Sequence, residues 1–395
     1  MMESIVSDHV VKHMWSNELL TDFQHGFVSG RSCSSNLLAV LDAWTDSLDS
    51  GLCVDAIYLD FAKAFDTVPH QRLLTKLQGY GIREDVLGWI GQFLQGRRQR
   101  VSVNGSRSNW SAVTSGIPQG SVLGPALFVI FINDLPKVVQ TTAQMFADDT
   151  KLFTSIANED DREQLQEDLD RLVGWSKTWQ LRFNAGKCKT LHLGRNNPHH
   201  SYTMESTSGE HITLEETVLE KDLGVHVDPE LKFSKHVETQ ANKANRILGL
   251  IRRSYEHLDG DSVKKLFTAL VRPHIEFCIV AWSPRLIKDK KLIEGVQRRA
   301  TKLVPELKDL PYQERLQSLK LPSMSYRQAR GDMIETYKYT HGFYNTNQDL
   351  LVRELETTTR GHSYKLKKRY CQSSPRQKFF SSELWTHGIT FHLTL

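Results

Sequence analysis

Hydrophobic positions change their period several times along the chain. Up to about Leu48 they recur at helical spacing on both sides of a break, Gly26 to Arg31, which predicts two helices. Cys53 to Phe61 is β-branched and aromatic over a strand's length. Helical patterns return at roughly 70–79 and 84–95. Between Gln99 and Val113, Val101 and Val103 alternate with polar residues, and Asn104-Gly105 supplies a hairpin turn. The loop Gly116 to Gly120 leads into an apolar helix at about 122–134. A second hairpin follows, with Ala143 to Phe146 and Thr150 to Phe153 as arms and Ala147-Asp148-Asp149 at its tip. Asp160 to Trp179 reads as an amphipathic helix: Leu165, Leu169, Leu172 and Val173 share a face, and the acidic start suits the positive end of the helix dipole. Strands at about 188–193 and 222–227 bracket a polar loop. From about 230 onward the pattern is helical with basic faces.

Composition adds limits. With 395 residues, 39% hydrophobic and 24% charged, the chain reads as soluble and globular, large enough for one big core or several smaller ones. Its formal charge of +4 names no partner, but the charge is unevenly spread. Residues 242–308 hold fifteen Lys/Arg against seven Asp/Glu, and 360–378 hold seven Lys/Arg and no acid. Cys33, Cys53, Cys188, Cys278 and Cys371 are scattered, odd in number and without a CxxC pair, which points to reduced thiols. MMESIVSDHV lacks the apolar core of a signal peptide, and no apolar run is long enough to span a bilayer. The expectation is an intracellular protein, cytoplasmic or nuclear, neither secreted nor membrane-bound.

The candidate chemistry lies in carboxylates. Asp148 and Asp149 are adjacent in a tight turn, where two like charges repel unless solvent, protons or cations relieve them. An exposed acidic turn is the plain reading of that pair alone. Asp60, at the end of an apolar strand, changes the picture, because a strand end and a hairpin tip can converge on a hard-cation site. Magnesium takes oxygen ligands and bridges carboxylates to phosphates. Two such ions serve both the attacking and the leaving oxygen of phosphoryl transfer.

Taken in order, several stretches resemble the reverse transcriptase of LINE-type, non-LTR retrotransposons of the jockey-like and chicken-repeat groups. They are QHGFVSGRSC (24–33), IYLDFAKAFDTV (57–68), SGIPQGSVLGPALFVIFINDLP (115–136), FADDTKLF (146–153), FNAGKCKTLHLG (183–194) and KDLGV (221–225). LVRPHIEFCIVAW (270–282) and VQRRATKLV (296–304) extend the similarity, which runs from about residue 5 to about 383. The resemblance implies that Asp60, Asp148 and Asp149 are catalytic and hold two Mg2+ ions, with Mn2+ as a substitute. It puts Phe65 at the steric gate against a ribose 2′-hydroxyl, where ordinary core packing is the competing reading. Gln119, in the loop between Gly116 and Gly120, would touch the incoming nucleotide or the template. Lys187 matches the basic residue that assists pyrophosphate departure, Leu191 to Gly194 the primer grip, and Arg31 a basic residue near the triphosphate. Asp66 is expected to fix the following turn. Lys243, Arg246, Arg252 and Arg253, within about three helical turns, form a basic stripe for duplex phosphates, with Arg298, Arg299 and Lys302 repeating the pattern.

The resemblance implies an α+β right-hand polymerase with an antiparallel palm sheet, mixed fingers and a helical thumb. Fingers and palm are expected at 1–195, a connector at 196–230, the thumb at 231–305 and a basic α-rich region at 306–395. The implied partners are an RNA template, a DNA primer, the RNA–DNA duplex and deoxynucleoside triphosphates, with no membrane. Departures from the family pattern are a missing upstream basic segment, no endonuclease, Phe146 in place of the commoner tyrosine, and an atypical end, THGITFHLTL (386–395). Two functions are therefore open: an active RNA-directed DNA polymerase, or a truncated remnant that binds nucleic acid without turnover. An RNA polymerase is a third, which Phe65 argues against.

Overall fold

The computed structural model describes residues 1–206, 208–344, 350–352, 366–367 and 370–382. The basic stretch 360–378 is partly among them, and the atypical end 386–395 lies outside them. The chain divides into two compact units. One is Met1–Asn36 with Leu52–Thr217, the other Leu37–Gly51 with Val218–Leu395. The expected connector 196–230 is thus shared: its first part, up to Thr217, joins the first unit and the remainder the second.

The first unit is built on a five-stranded sheet. Its strands are β1 (Cys53–Leu59), β2 (Thr142–Phe146), β3 (Asp149–Ile156), β4 (Lys189–Leu193) and β5 (Glu215–Glu216), in the order β5-β4-β1-β3-β2. All pairings are antiparallel except β4 with β5. The expected α+β class with an antiparallel sheet is the one found. Side chains alternate between faces. Ile57 and Leu59 of β1, Leu152 of β3 and Ala143 and Met145 of β2 enter one core, together with Leu127, Phe128, Phe131, Leu165, Leu169 and Leu172.

Helices supply those last six residues. Gly124–Ile132 is apolar on every side and buried throughout most of its length, as such a helix must be. Glu159–Trp179 begins with a capping box: Asn158 Oδ1 accepts from the Asp161 N–H at 3.1 Å, and Asp161 Oδ2 accepts from the Asn158 N–H at 3.1 Å. The apolar stripe read from its sequence is the buried one. Lys76, from the helix His70–Gly79, enters between these two helices. Its ammonium donates to Asp134 Oδ1 at 2.5 Å and lies 3.9 Å from the Trp179 ring centre and 4.7 Å from that of Trp175. Burial brings it down to about 8 while Asp134 opposes the shift.

The hairpin expected at 99–113 is present as two short ladders, with Asn104 and Gly105 both at positive φ as its turn requires. One expectation is corrected. Residues 222–227 are not a single strand but part of a hairpin, Glu220–Asp222 against Val225–Val227, turning at Leu223-Gly224 with φ of 45° and 88°. A leucine in left-handed backbone is uncommon, so its sequence carried no turn signal.

The second unit is mostly helical from Ser234 onward. Its long helix, Ser234–Ser254, buries Val237, Ala241, Ala244, Leu248 and Ile251. Among the described residues no disulfide joins any of the five cysteines, and no helix is long and apolar enough to cross a membrane.

Candidate active site

The candidate site forms at one end of the sheet, where β1 stops beside the β2–β3 hairpin. The β1–β3 register ends at Leu59 opposite Thr150. One step further brings Asp60 opposite Asp149, and alternation puts both on the face away from the core. Phe146 pairs with Asp149, so the tip is only Ala147-Asp148, and Asp149 is the first residue of β3 rather than part of the turn. Ala147 adopts φ 53° to close it. Asp60 and Asp148 are half-buried and Asp149 is exposed. The Asp148 carboxyl is held above the usual carboxylate range, first by burial and then by the negative charge of Asp60. Asp60, remote in sequence from the other two, therefore shares one sheet edge with Asp148 and Asp149, and its charge is felt at Asp148.

Two backbone segments hold that edge. The first is Phe23 to Gly26. Met145 N–H donates to Phe23 O and His25 N–H to Met145 O, each at 2.9 Å. Gln24 is wholly buried, and its Oε1 accepts from the N–H of Gly26 at 2.7 Å and of Ala147 at 2.8 Å. Gly26 lies so close to the tip that an added Cβ would stand 2.3 Å from Ala147 N. The second segment is Arg182 to Cys188. Asn184 N–H donates to Asp60 O at 2.7 Å, Ala62 N–H to Arg182 O at 2.8 Å, and the Phe61 and Phe183 rings stack at 4.4 Å. Cys188 lies buried under Asp60, whose N–H points at Sγ at 3.5 Å, and burial pushes the thiol up to about 11.

Lys187, in this second segment, is well exposed and holds Nζ 3.6 Å from Oδ2 of half-buried Asp60. The Phe65 ring stacks on buried Phe128 at 4.3 Å and meets exposed Phe27 edge-on at 6.5 Å, so its position is fixed from one side. The loop carrying Gln119 is strapped to the residues after β1: Gly116 N–H donates to Val68 O at 2.8 Å and Ile117 N–H to Phe65 O at 2.7 Å. Gly116, at φ 84°, packs where a Cβ would stand 2.5 Å from Asp66 O. Gln119 Nε2 donates to Asp66 Oδ1 at 3.0 Å. Asp66 thus secures the loop to its own turn.

Arg31 requires a correction. Its side chain is 2% exposed, and Nη1 donates to the carbonyls of Thr21, Asp22 and Gln24 while Nη2 pairs with Asp22 at 3.0 Å. It braces the segment before Gly26 instead of presenting charge to a triphosphate.

In the second unit, Lys243, Arg246, Arg252 and Arg253 are all exposed on the helix Ser234–Ser254. At about 100° per residue, Lys243, Arg246 and Arg253 fall within an arc of about 80°, while Arg252 lies opposite Lys243. The stripe is three residues wide, and Arg252 stands outside it.

Sequence reasoning missed Gln24, and it also missed the support behind the carboxylates. Lys151, two residues along β3 from Asp149 on the same face, is buried and donates to Asn36 Oδ1 at 2.8 Å. Asn36 Nδ2 in turn donates to Met145 O at 2.9 Å. A lysine inside an apolar strand was the available signal.

A family model described as reverse transcriptase (RNA-dependent DNA polymerase) matches residues 1–250. The chain belongs to the reverse transcriptase family. Its curated relatives include polymerases of jockey and jockey-like mobile elements. The RNA-directed DNA polymerase from mobile element jockey of Drosophila funebris is 25% identical over 381 residues, covering 90% of this chain and 39% of that protein. The probable RNA-directed DNA polymerase from transposon X-element of Drosophila melanogaster is 25% identical over 316 residues, covering 76% of this chain and 34% of its own length. The chain thus spans well under half of these relatives. Among solved structures, telomerase from Candida albicans in complex with a fragment of telomeric RNA aligns with TM-score 0.43 at 11% identity, covering 88% of this chain and 52% of that one.

Proposed function

We propose that this chain is an RNA-directed DNA polymerase of a non-LTR retrotransposon, extending a 3′-hydroxyl primer on an RNA template with deoxynucleoside triphosphates. The observation that carries the reading is the meeting of Asp60 with Asp148 and Asp149 on one sheet edge. Their donors are all oxygen, and Asp148 lies where burial and a neighbouring anion disfavour its charge, so the site fits hard divalent cations. Mg2+, or Mn2+ in its place, would be held by Asp60, Asp148 and Asp149 as a pair of ions. Bound there, the cations would lower the cost of charge on the attacking and leaving oxygens.

The protein's own groups do the remaining work. Lys187, which now pairs with Asp60, is the cation placed to follow charge onto departing pyrophosphate. Phe65, backed by Phe128, excludes a 2′-hydroxyl. Gln119 and the close backbone at Gly116 hold the nucleotide-facing loop. Lys243, Arg246 and Arg253 bind phosphates of the RNA–DNA duplex.

Primer extension on an RNA template with magnesium and deoxynucleotides tests the reading. Asp148→Ala removes charge stabilisation worth several kcal/mol, about a thousandfold or more in rate. Incorporation that survives this substitution would count against the assignment. Wild-type protein that binds RNA–DNA duplex yet incorporates nothing would instead identify a remnant without turnover.

A further inference from the structure

The far end of the same sheet gathers a second set of donors. His192 lies on β4, Glu216 on the neighbouring β5, and His199 in the loop that leaves β4. One donor atom from each lies within 4.8 Å of both others. His192 and Asp55 face each other across the β1–β4 register, five residues along β1 from Asp60 and on the opposite face. At about 3.3 Å per residue that is about 16 Å from the carboxylate edge.

The surroundings prepare these groups. His192 Nδ1 lies 2.7 Å from Asp55 Oδ1, both residues being buried, so Nε2 is the nitrogen left to a ligand. Asp55 also accepts from the Tyr202 hydroxyl at 2.6 Å and from Asn197 Nδ2 at 2.7 Å. Asn197 ties the loop down: Nδ2 also reaches Leu193 O at 3.2 Å, and Oδ1 accepts from the His199 N–H at 2.9 Å. His199, held at φ 56°, brings Nδ1 to 2.5 Å from Glu216 Oε1.

We propose that His192, His199 and Glu216 form a divalent-metal site suited to zinc, with Asp55 as the carboxylate that orients His192. Two imidazoles and one carboxylate, one imidazole backed by a buried carboxylate, are a zinc donor set, whereas magnesium favours oxygen alone. Zinc bonds of about 2.0–2.1 Å call for donors roughly 3.3 Å apart, so the widest separation closes by about 1.5 Å at most, while His199 Nδ1 and Glu216 Oε1, now 2.5 Å apart, move apart to admit the ion. His199 and Glu216 are about half exposed and free to make that movement, and water completes the shell. The metal would fasten β5 to the loop after β4, by coordination and without redox chemistry. This site differs in place and in chemistry from the polymerase carboxylates.

The experiment is metal titration of the chelator-stripped full chain with Co2+, followed by displacement with Zn2+. Binding is read from cobalt's visible bands and from the rise in melting temperature, neither of which needs polymerase activity. The expected result is one zinc per chain. His199→Ala and Glu216→Gln, both at exposed positions, should each weaken binding by about tenfold or more. The metal-free fold of either variant should melt as the wild type does. Asp148→Asn should leave zinc binding unchanged. Equal zinc binding by the wild type and both variants would overturn the proposal. So would no binding at all, or the near-ultraviolet charge transfer that marks cysteine ligands.

Discussion

Gly26 and Ala147 approach so closely that a single methyl group separates a working hairpin tip from a displaced one. Gly26→Ala is expected to cost about 1–3 kcal/mol in urea unfolding, the usual range for overpacking. It should lower primer extension further than that loss of stability explains. Asp148 acts in the opposite sense. Its folded-state carboxyl binds its proton more tightly than it does in the unfolded chain, so the folded protein loses stability as pH rises through that range. Asp148→Asn should therefore melt higher than wild type without divalent cations, with a gap that widens from acid to neutral pH, while losing activity. Scanning calorimetry at several pH values measures this. At Phe65 the expectation is selectivity: Phe65→Val should raise ribonucleotide incorporation relative to deoxynucleotide by about 10–200-fold, the range commanded by one pocket contact. Competing single-nucleotide extensions give the ratio.

At the scale of elements, the helix Ser234–Ser254 allows a prediction that separates its basic residues. Each phosphate contact adds about 0.9 to the slope of log affinity against log salt. Lys243→Ala, Arg246→Ala or Arg253→Ala should each lower that slope for RNA–DNA duplex by about 1, and Arg252→Ala should leave it nearly unchanged. Titrations at several salt concentrations decide. Most elements of this size were legible in the sequence, because amphipathic period and turn chemistry agreed. The helix Glu159–Trp179 has its apolar stripe and its cap in plain view, and Asn104-Gly105 announces its hairpin. What stayed hidden depended on contacts distant in sequence. Arg31 reads as a free cation until the carbonyls of Thr21, Asp22 and Gln24 are folded around it. Gln24 is one more polar residue until the hairpin tip arrives. Leu223-Gly224 turns the chain without a turn-forming pair.

Over the whole molecule, each unit contains a buried histidine kept neutral. His25 in the first is brought down to about 3 by burial, then by the charges of Arg31 and Lys151. His236 in the second is brought down to about 4 by burial, then by His226. A histidine with a lowered folded-state value contributes fully above its unfolded value near 6.5 and loses that contribution as pH falls. Between pH 6.5 and about 4, each should remove about 1.4 kcal/mol of stability per pH unit. Denaturant unfolding from pH 7 to pH 5 should show the decline, and His236→Gln should make it shallower.

The two-residue tip between Phe146 and Asp149 carries a consequence for how this gene segment can vary. Adding or deleting one residue in β3 beside the tip would turn the next side chain to the other surface and send a carboxylate into the apolar interior. The stretch therefore acts as a ruler: exchanges of residue type can be absorbed there, but changes of length cannot.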